Sequence, residues 1–150
     1  MGNLIWELLG SFVGTIAFAL LFSVPRKYFI SCGWIGTAGW LAYRLALPVS
    51  VDTSFAVFFA AALVVLLSRV MAVRRKCPAT VFMITGVFPL VPGAQIYWAA
   101  YYLVTSQFHE ALSSGLGAIK AMVAIVLGII FVFEIPNRVF QHVRSRRDRD

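Results

Sequence analysis

Apolar residues along this chain come in long unbroken runs, not in the alternating or one-faced patterns of soluble elements. Five such runs, at 4–24, 28–47, 53–73, 78–104 and 116–135, each hold about 20 residues or more. At 1.5 Å per residue, a helix of that length crosses a hydrocarbon core of ~30 Å. Most charged residues fall between the runs or after the last, and Pro25, Pro48, Pro78 and Pro136 mark their boundaries. The pattern predicts an all-α integral membrane protein, a bundle of about five transmembrane helices over residues 1–137, with a basic tail over 138–150. The connections are short, so consecutive spans are expected to pack antiparallel.

The fourth run breaks the rule that the others follow. It carries no charge between residues 78 and 104, yet holds Pro89-Leu90-Val91-Pro92-Gly93 near its middle. Each proline removes a backbone donor and clashes with the carbonyl four residues back, so the carbonyls of Thr85 and Phe88 are expected to lose their partners. Phe88 and Val91 precede prolines and are pushed away from helical geometry. Irregular backbone at membrane depth persists only where protein or a watery cavity surrounds it. At about 27 residues, the run would be ~40 Å long as one straight helix. Two half-helices joined by a bent junction fit that excess, and the junction is expected to line a passage.

Composition agrees with the bilayer reading and excludes other classes. The chain is 61% hydrophobic and 13% charged, with a mean hydropathy of +0.86, against about 25% charged in ordinary soluble domains. Its net charge of +7 suggests nucleic acid until the positions are read. Arg26 and Lys27 follow the first run; Arg69, Arg74, Arg75 and Lys76 close the third; Arg138, Arg144, Arg146, Arg147 and Arg149 follow the fifth. With alternating spans all of these lie on one side, and the opposite side carries Glu7, Asp52, His109 and Glu110. Positive loops stay cytoplasmic, so the amino terminus is expected outside and the carboxyl terminus inside. The tail then serves topology and anionic headgroups, not nucleic acid. No basic residue precedes the first run, so it does not read as a cleavable signal.

Small residues mark packing faces. Gly10 and Gly14 form a GxxxG extended by Ser11 and Thr15, and Gly33, Gly36 and Gly39 recur at every third position of the second run. Such stripes let helix backbones approach closely. Cys32 and Cys77 fall near the inner face, where a disulfide is not expected. Neither has a His or carboxylate at ligand spacing, so no metal or cofactor is expected. The runs contain no paired carboxylates and no nucleophile beside a base, which argues against an enzyme. Glu134 is expected to pair with Arg138 one turn on, and Arg69 to act as an ordinary inner-face anchor.

The residues from Cys77-Pro78-Ala79 through Gly86-Val87-Phe88-Pro89-Leu90-Val91-Pro92-Gly93 to Tyr97 resemble the carboxyl-terminal membrane domain of the threonine/serine exporter family. Phe22-Ser23-Val24-Pro25-Arg26 and the glycine-rich run to Arg44 are similar too. The family fuses two membrane domains in some members and splits them into two proteins in others. The resemblance implies the smaller half of a split pair in a bacterial inner membrane, working with a second membrane subunit. It implies export of small hydroxy amino acids, or of dicarboxylates such as succinate.

The broken run supplies a carboxylate site without a charged side chain. Its second half-helix is expected to start near Pro92, with Gly93, Ala94 and Gln95 offering the first free amides. A helix amino terminus attracts anions, and Gly93 admits a ligand close to the backbone. The carbonyls freed at Thr85 and Phe88 by Pro89 and Pro92 are expected to accept from an ammonium group or a proton-bearing water. Gln95 and Tyr97 follow the break as further hydrogen-bonding groups, while Trp98, Tyr101 and Tyr102 read as an outer aromatic belt. Arg44 and Lys120 are the two basic residues outside the positive-inside pattern. Each reads either as a snorkelling anchor or as part of an anion-attracting exit vestibule. The leading expectation is one subunit of a secondary exporter; the alternative is an accessory that stabilises or regulates a partner transporter.

Overall fold

Where an apolar run carries no internal proline, it forms one uninterrupted helix. The computed structural model describes residues 2–49 and 52–135, so the basic tail and the expected Glu134–Arg138 pair lie outside the described residues. Its helices are α1 (Gly2–Leu21), α2 (Phe29–Ala46), α3 (Thr53–Arg75), α4 (Thr80–Val87), α5 (Gly93–Val104) and α6 (Phe108–Phe133). Short 3-10 turns, Arg26–Tyr28 and Phe88–Leu90, precede α2 and follow α4. No strand occurs among the described residues, and the all-α membrane bundle stands.

Helix ends explain the boundaries. Ser23, Lys76 and Ser106 adopt left-handed backbone just past α1, α3 and α5. In each case the next amide closes back on the last turn: Val24 on Ala19, Cys77 on Ala72 and Gln107 on Tyr102. That six-to-one bond is the usual way to satisfy terminal carbonyls. The segment 108–115, which precedes the fifth apolar run, forms the first two turns of α6. It contains no proline, and Glu110 sits in the first turn, where the positive helix end favours a carboxylate.

Among the described residues, α1, α3 and α6 are each long and apolar enough to cross a membrane. The stretch Thr80–Leu90 with Gly93–Val104 is one further candidate, bent by 50°. The 18 residues of α2 include Trp34, Trp40, Tyr43, Arg44 and the glycine stripe, which lower its hydropathy. By length and composition the described chain therefore holds up to 4 spans, with α2 packed against both α1 and α3.

Contacts fix the directions. Phe12 meets Gly33 and Glu7 meets Arg44, so α1 and α2 are antiparallel. Phe58 lies against Gly128, and Arg69 reaches Val132 and Ile135, so α3 and α6 run parallel. Ala99 and Gln95 lie against Gly115 and Gly117, so α5 and α6 are antiparallel. These registers gather Arg26, Lys27 and Arg74–Lys76 at one end of the bundle and Glu7, Asp52 and Glu110 at the other.

The glycines divide into two groups. Gly33, Gly36 and Gly39 pack as expected, facing Phe12, Thr15 and Val64. Gly86 fits against Ile35 and Val64, and at Gly128 an added Cβ would stand 2.7 Å from the Phe58 carbonyl. Gly10 and Gly14 have nothing within 4 Å of an added Cβ, so of the stripe extended by Ser11 and Thr15 the two glycines face no neighbour, whereas Thr15 is fully buried against Gly36. Arg69 also departs from expectation. It is 8% exposed and donates to the carbonyls of Val132 and Ile135, fastening α3 to the end of α6 instead of reaching for headgroups.

Candidate functional site

The break in the fourth run is built from three consecutive irregularities. Phe88–Leu90 tightens into a 3-10 turn, Val91 is extended (φ −62°, ψ 129°), and Pro92 sits at φ −77°, ψ 55°. That geometry at Pro92 is an inverse γ-turn, closed by the Gly93 amide donating to the Val91 carbonyl at 2.7 Å. Helix α5 then begins at Gly93, and Ile96 donates to the Pro92 carbonyl.

Two expectations change as a result. The Gly93 amide is not free, because the γ-turn uses it. The Phe88 carbonyl is not free either, since the Val91 amide donates to it at 3.1 Å. The amides that remain without an intrahelical carbonyl are those of Ala94 and Gln95, the second and third positions of α5.

These amides border a cavity of about 230 Å³ lined by Pro89 through Gln95 together with Trp40, Tyr43, Thr53, Val57 and Ala121. Of the residues singled out from sequence, it brings together Pro89, Pro92, Gly93, Ala94 and Gln95. The side chain of Gln95 packs against Gly117, and its Oε1 is buried without a hydrogen-bond partner. The two amides thus form the polar edge of a largely apolar cavity, while Gln95 Oε1 is turned to Gly117, outside the lining residues.

The other candidates lie elsewhere. Thr85 is fully buried, and its hydroxyl donates to the carbonyls of Val81 and Phe82, both 3.2 Å away. Phe88 turns toward α1 and stacks on Phe18 with ring centroids 3.8 Å apart. Tyr97 is 62% exposed and belongs with Trp98 and Tyr101 to the aromatic cluster on the outer surface of α5. Lys120 lines a separate groove between α3 and α6. Arg44 is paired with Glu7, its Nε 3.1 Å from Oε2.

Glu7 also accepts from the indole of Trp40 at 3.2 Å, so this pair borders the cavity through Trp40 alone. The Arg44 and Glu7 side chains are 41% and 32% exposed, and pairs so open contribute under about 1 kcal/mol. Arg44→Gln is therefore expected to shift stability by less than that, as read from thermal unfolding in detergent.

Trp40, Tyr43, Thr53 and Val57 were not visible as site residues in the sequence. Trp40 and Tyr43 had one signal, their place within a turn of Arg44 on α2. Thr53 and Val57 had none, because only the packing of α3 against the junction brings them in.

A curated protein of Haemophilus influenzae with no assigned function is 26% identical over 144 residues, covering 93% of this chain and 48% of its own length. The chain thus spans about half of that relative. No solved structure matches this chain. The model of the family described as "Threonine/Serine exporter, ThrE" matches residues 7–135. A match over that extent, taking in the whole of the proline-broken span and its cavity, means that the chain belongs to the threonine/serine exporter family.

Proposed function

We propose that the chain is one subunit of a secondary exporter that moves small carboxylate-bearing metabolites out of the cell with a second membrane subunit. Threonine and serine are the first candidates and dicarboxylates such as succinate the second. The observation that carries the reading is the cavity at the Pro89–Gly93 break, bordered by the two open amides at the start of α5.

A substrate carboxylate accepts from the amides of Ala94 and Gln95 at the positive end of α5. A turn of the Gln95 side chain away from Gly117 brings its Oε1 to the ammonium group of an amino acid, in place of the Phe88 carbonyl that the Val91 amide already uses. Half-helix ends perform this double role in other transporters. The cavity, at about 230 Å³, is below the ~300 Å³ at which drug-sized pockets begin, so it suits small metabolites. The described residues lining it include no carboxylate, so if export is proton-driven the proton-carrying group belongs to the second subunit. In this reading the end bearing Arg26 and Arg74–Lys76 faces the cytoplasm of a bacterial inner membrane.

The test is efflux of labelled threonine, serine and succinate from cells expressing the chain with and without a second membrane subunit of the family. Efflux of at least one solute that needs both chains supports the proposal. Efflux of all three that is indifferent to this chain sinks it. Loss on deletion, with full retention in Gly93→Leu and Pro92→Ala, would mean an accessory instead.

A further inference from the structure

A second concavity lies on the flank of the bundle, between α3 and α6, and the exporter reading makes no use of it. It encloses about 550 Å³. The two helices touch where the Gly128 backbone meets Phe58 and Ala61, and the groove opens from there toward their amino-terminal ends. Phe55, Phe58, Phe59, Val123 and Leu127 form its walls, while Asp52 and Lys120 stand at its mouth. From Lys120 to Leu127 the groove runs ~10 Å along the helix, about two-thirds of one leaflet of a ~30 Å hydrocarbon core.

The two charges at the mouth are not spent on each other. Lys120 is exposed and makes no ion pair among the described residues. One Asp52 oxygen caps α3 by accepting from the Ser54 amide at 3.4 Å; the other has no hydrogen-bond partner among the described residues. An apolar trough with a separate cation and carboxylate at one end matches an amphiphile with a tail below and a zwitterion above.

We infer that this groove binds one phospholipid carrying a primary ammonium head group. Its acyl chain lies along the phenylalanine wall, its phosphate meets Lys120, and its ammonium donates to Asp52. The alternatives fit less well. An anionic head group satisfies Lys120 but brings net negative charge to Asp52. A choline head has the right charges, but its trimethylated nitrogen has no N–H to donate, and charge-assisted hydrogen bonds are the strong ones. Another protein's transmembrane helix packs best against small residues, whereas Phe55 and Phe59, 59% and 58% exposed, would hold its backbone away.

The experiment uses the full chain, purified and reconstituted with phosphatidylethanolamine, phosphatidylcholine or phosphatidylglycerol, with retained lipid read by native mass spectrometry. One phosphatidylethanolamine is expected to stay bound, about tenfold above phosphatidylcholine, the ratio set by one charge-assisted hydrogen bond. Lys120→Gln is expected to lower retention of every phospholipid. Asp52→Asn preserves the helix cap, because asparagine caps as well as aspartate, and should erase the preference for ethanolamine over choline. Unchanged unfolding temperatures in lipid-free detergent show that both variants are folded.

Equal retention of the ethanolamine and choline lipids by the unaltered chain overturns the inference. So does a preference that survives both substitutions. A photoreactive group at Val123, which is 52% exposed, should cross-link to lipid in native membranes; cross-linking to a protein chain would overturn it too.

Discussion

Replacing Gly93 with leucine is expected to lower efflux about tenfold or more while leaving the fold intact. The position lines the cavity, and an added Cβ meets nothing within 4 Å. Its backbone does not need glycine either, since no glycine among the described residues has positive φ. Leucine at the first position of α5 thus adds its bulk without a clash at a position that lines the cavity. A single methylene placed in or removed from a binding pocket changes discrimination by roughly 10–200-fold, and leucine adds a whole isobutyl group. The fold should not suffer, because glycine is the weaker helix former by about 1 kcal/mol. Efflux of labelled solute and thermal unfolding in detergent, measured on the same variant, separate the two effects. Full efflux with a normal unfolding temperature would show that solute does not pass this cavity.

The second large effect is on stability. Arg69→Leu is expected to destabilise the protein by about 2–4 kcal/mol, the scale of lost hydrogen bonds to a charged group in a buried site. Two terms oppose each other. Burying a guanidinium costs several kcal/mol, and leucine removes that cost. Against it stand the carbonyls of Val132 and Ile135, both accepting from Nη1, and the Phe133 ring 5.6 Å from the guanidinium carbon. The Val132 carbonyl also accepts from the Ile135 amide at 3.2 Å, but both it and the Ile135 carbonyl lose their charged donor, and a cation there also meets the negative helix end. Losing the cation forfeits two charge-assisted hydrogen bonds in a buried site, and that term is the larger. Lysine should restore only part of the loss, because a point charge lacks the planar fork of arginine. Chemical or thermal unfolding in detergent measures both variants; a leucine variant as stable as the parent would refute the clamp.

The membrane class, the helical runs and the broken fourth span were legible in the sequence because each follows from local rules. Unbroken apolar length sets a span, and prolines set its ends. Pro89 and Pro92 each remove a helical hydrogen bond and clash with the preceding turn, so they kink or break a helix wherever they sit inside one. The packing of Gly33, Gly36 and Gly39 was legible for a similar reason, since three glycines on one face of α2 suit close approach.

What faces what was not legible. The chain alone could not say that Phe88 turns to Phe18, that Thr85 is sealed by its own helix, or that Gly10 and Gly14 face no neighbour. A helix-breaking sequence fixes where the backbone bends but not the rotation of the two halves about their axes, and rotation decides which side chains meet the cavity. Arg44 found Glu7, and Asp52 came to share a groove with Lys120, through contacts between helices far apart in sequence. Local chemistry thus determined the spans and the break, whereas the packing of α2, α3 and α6 around the break decided which residues form the site, because side-chain facing is a property of neighbours and not of the residue.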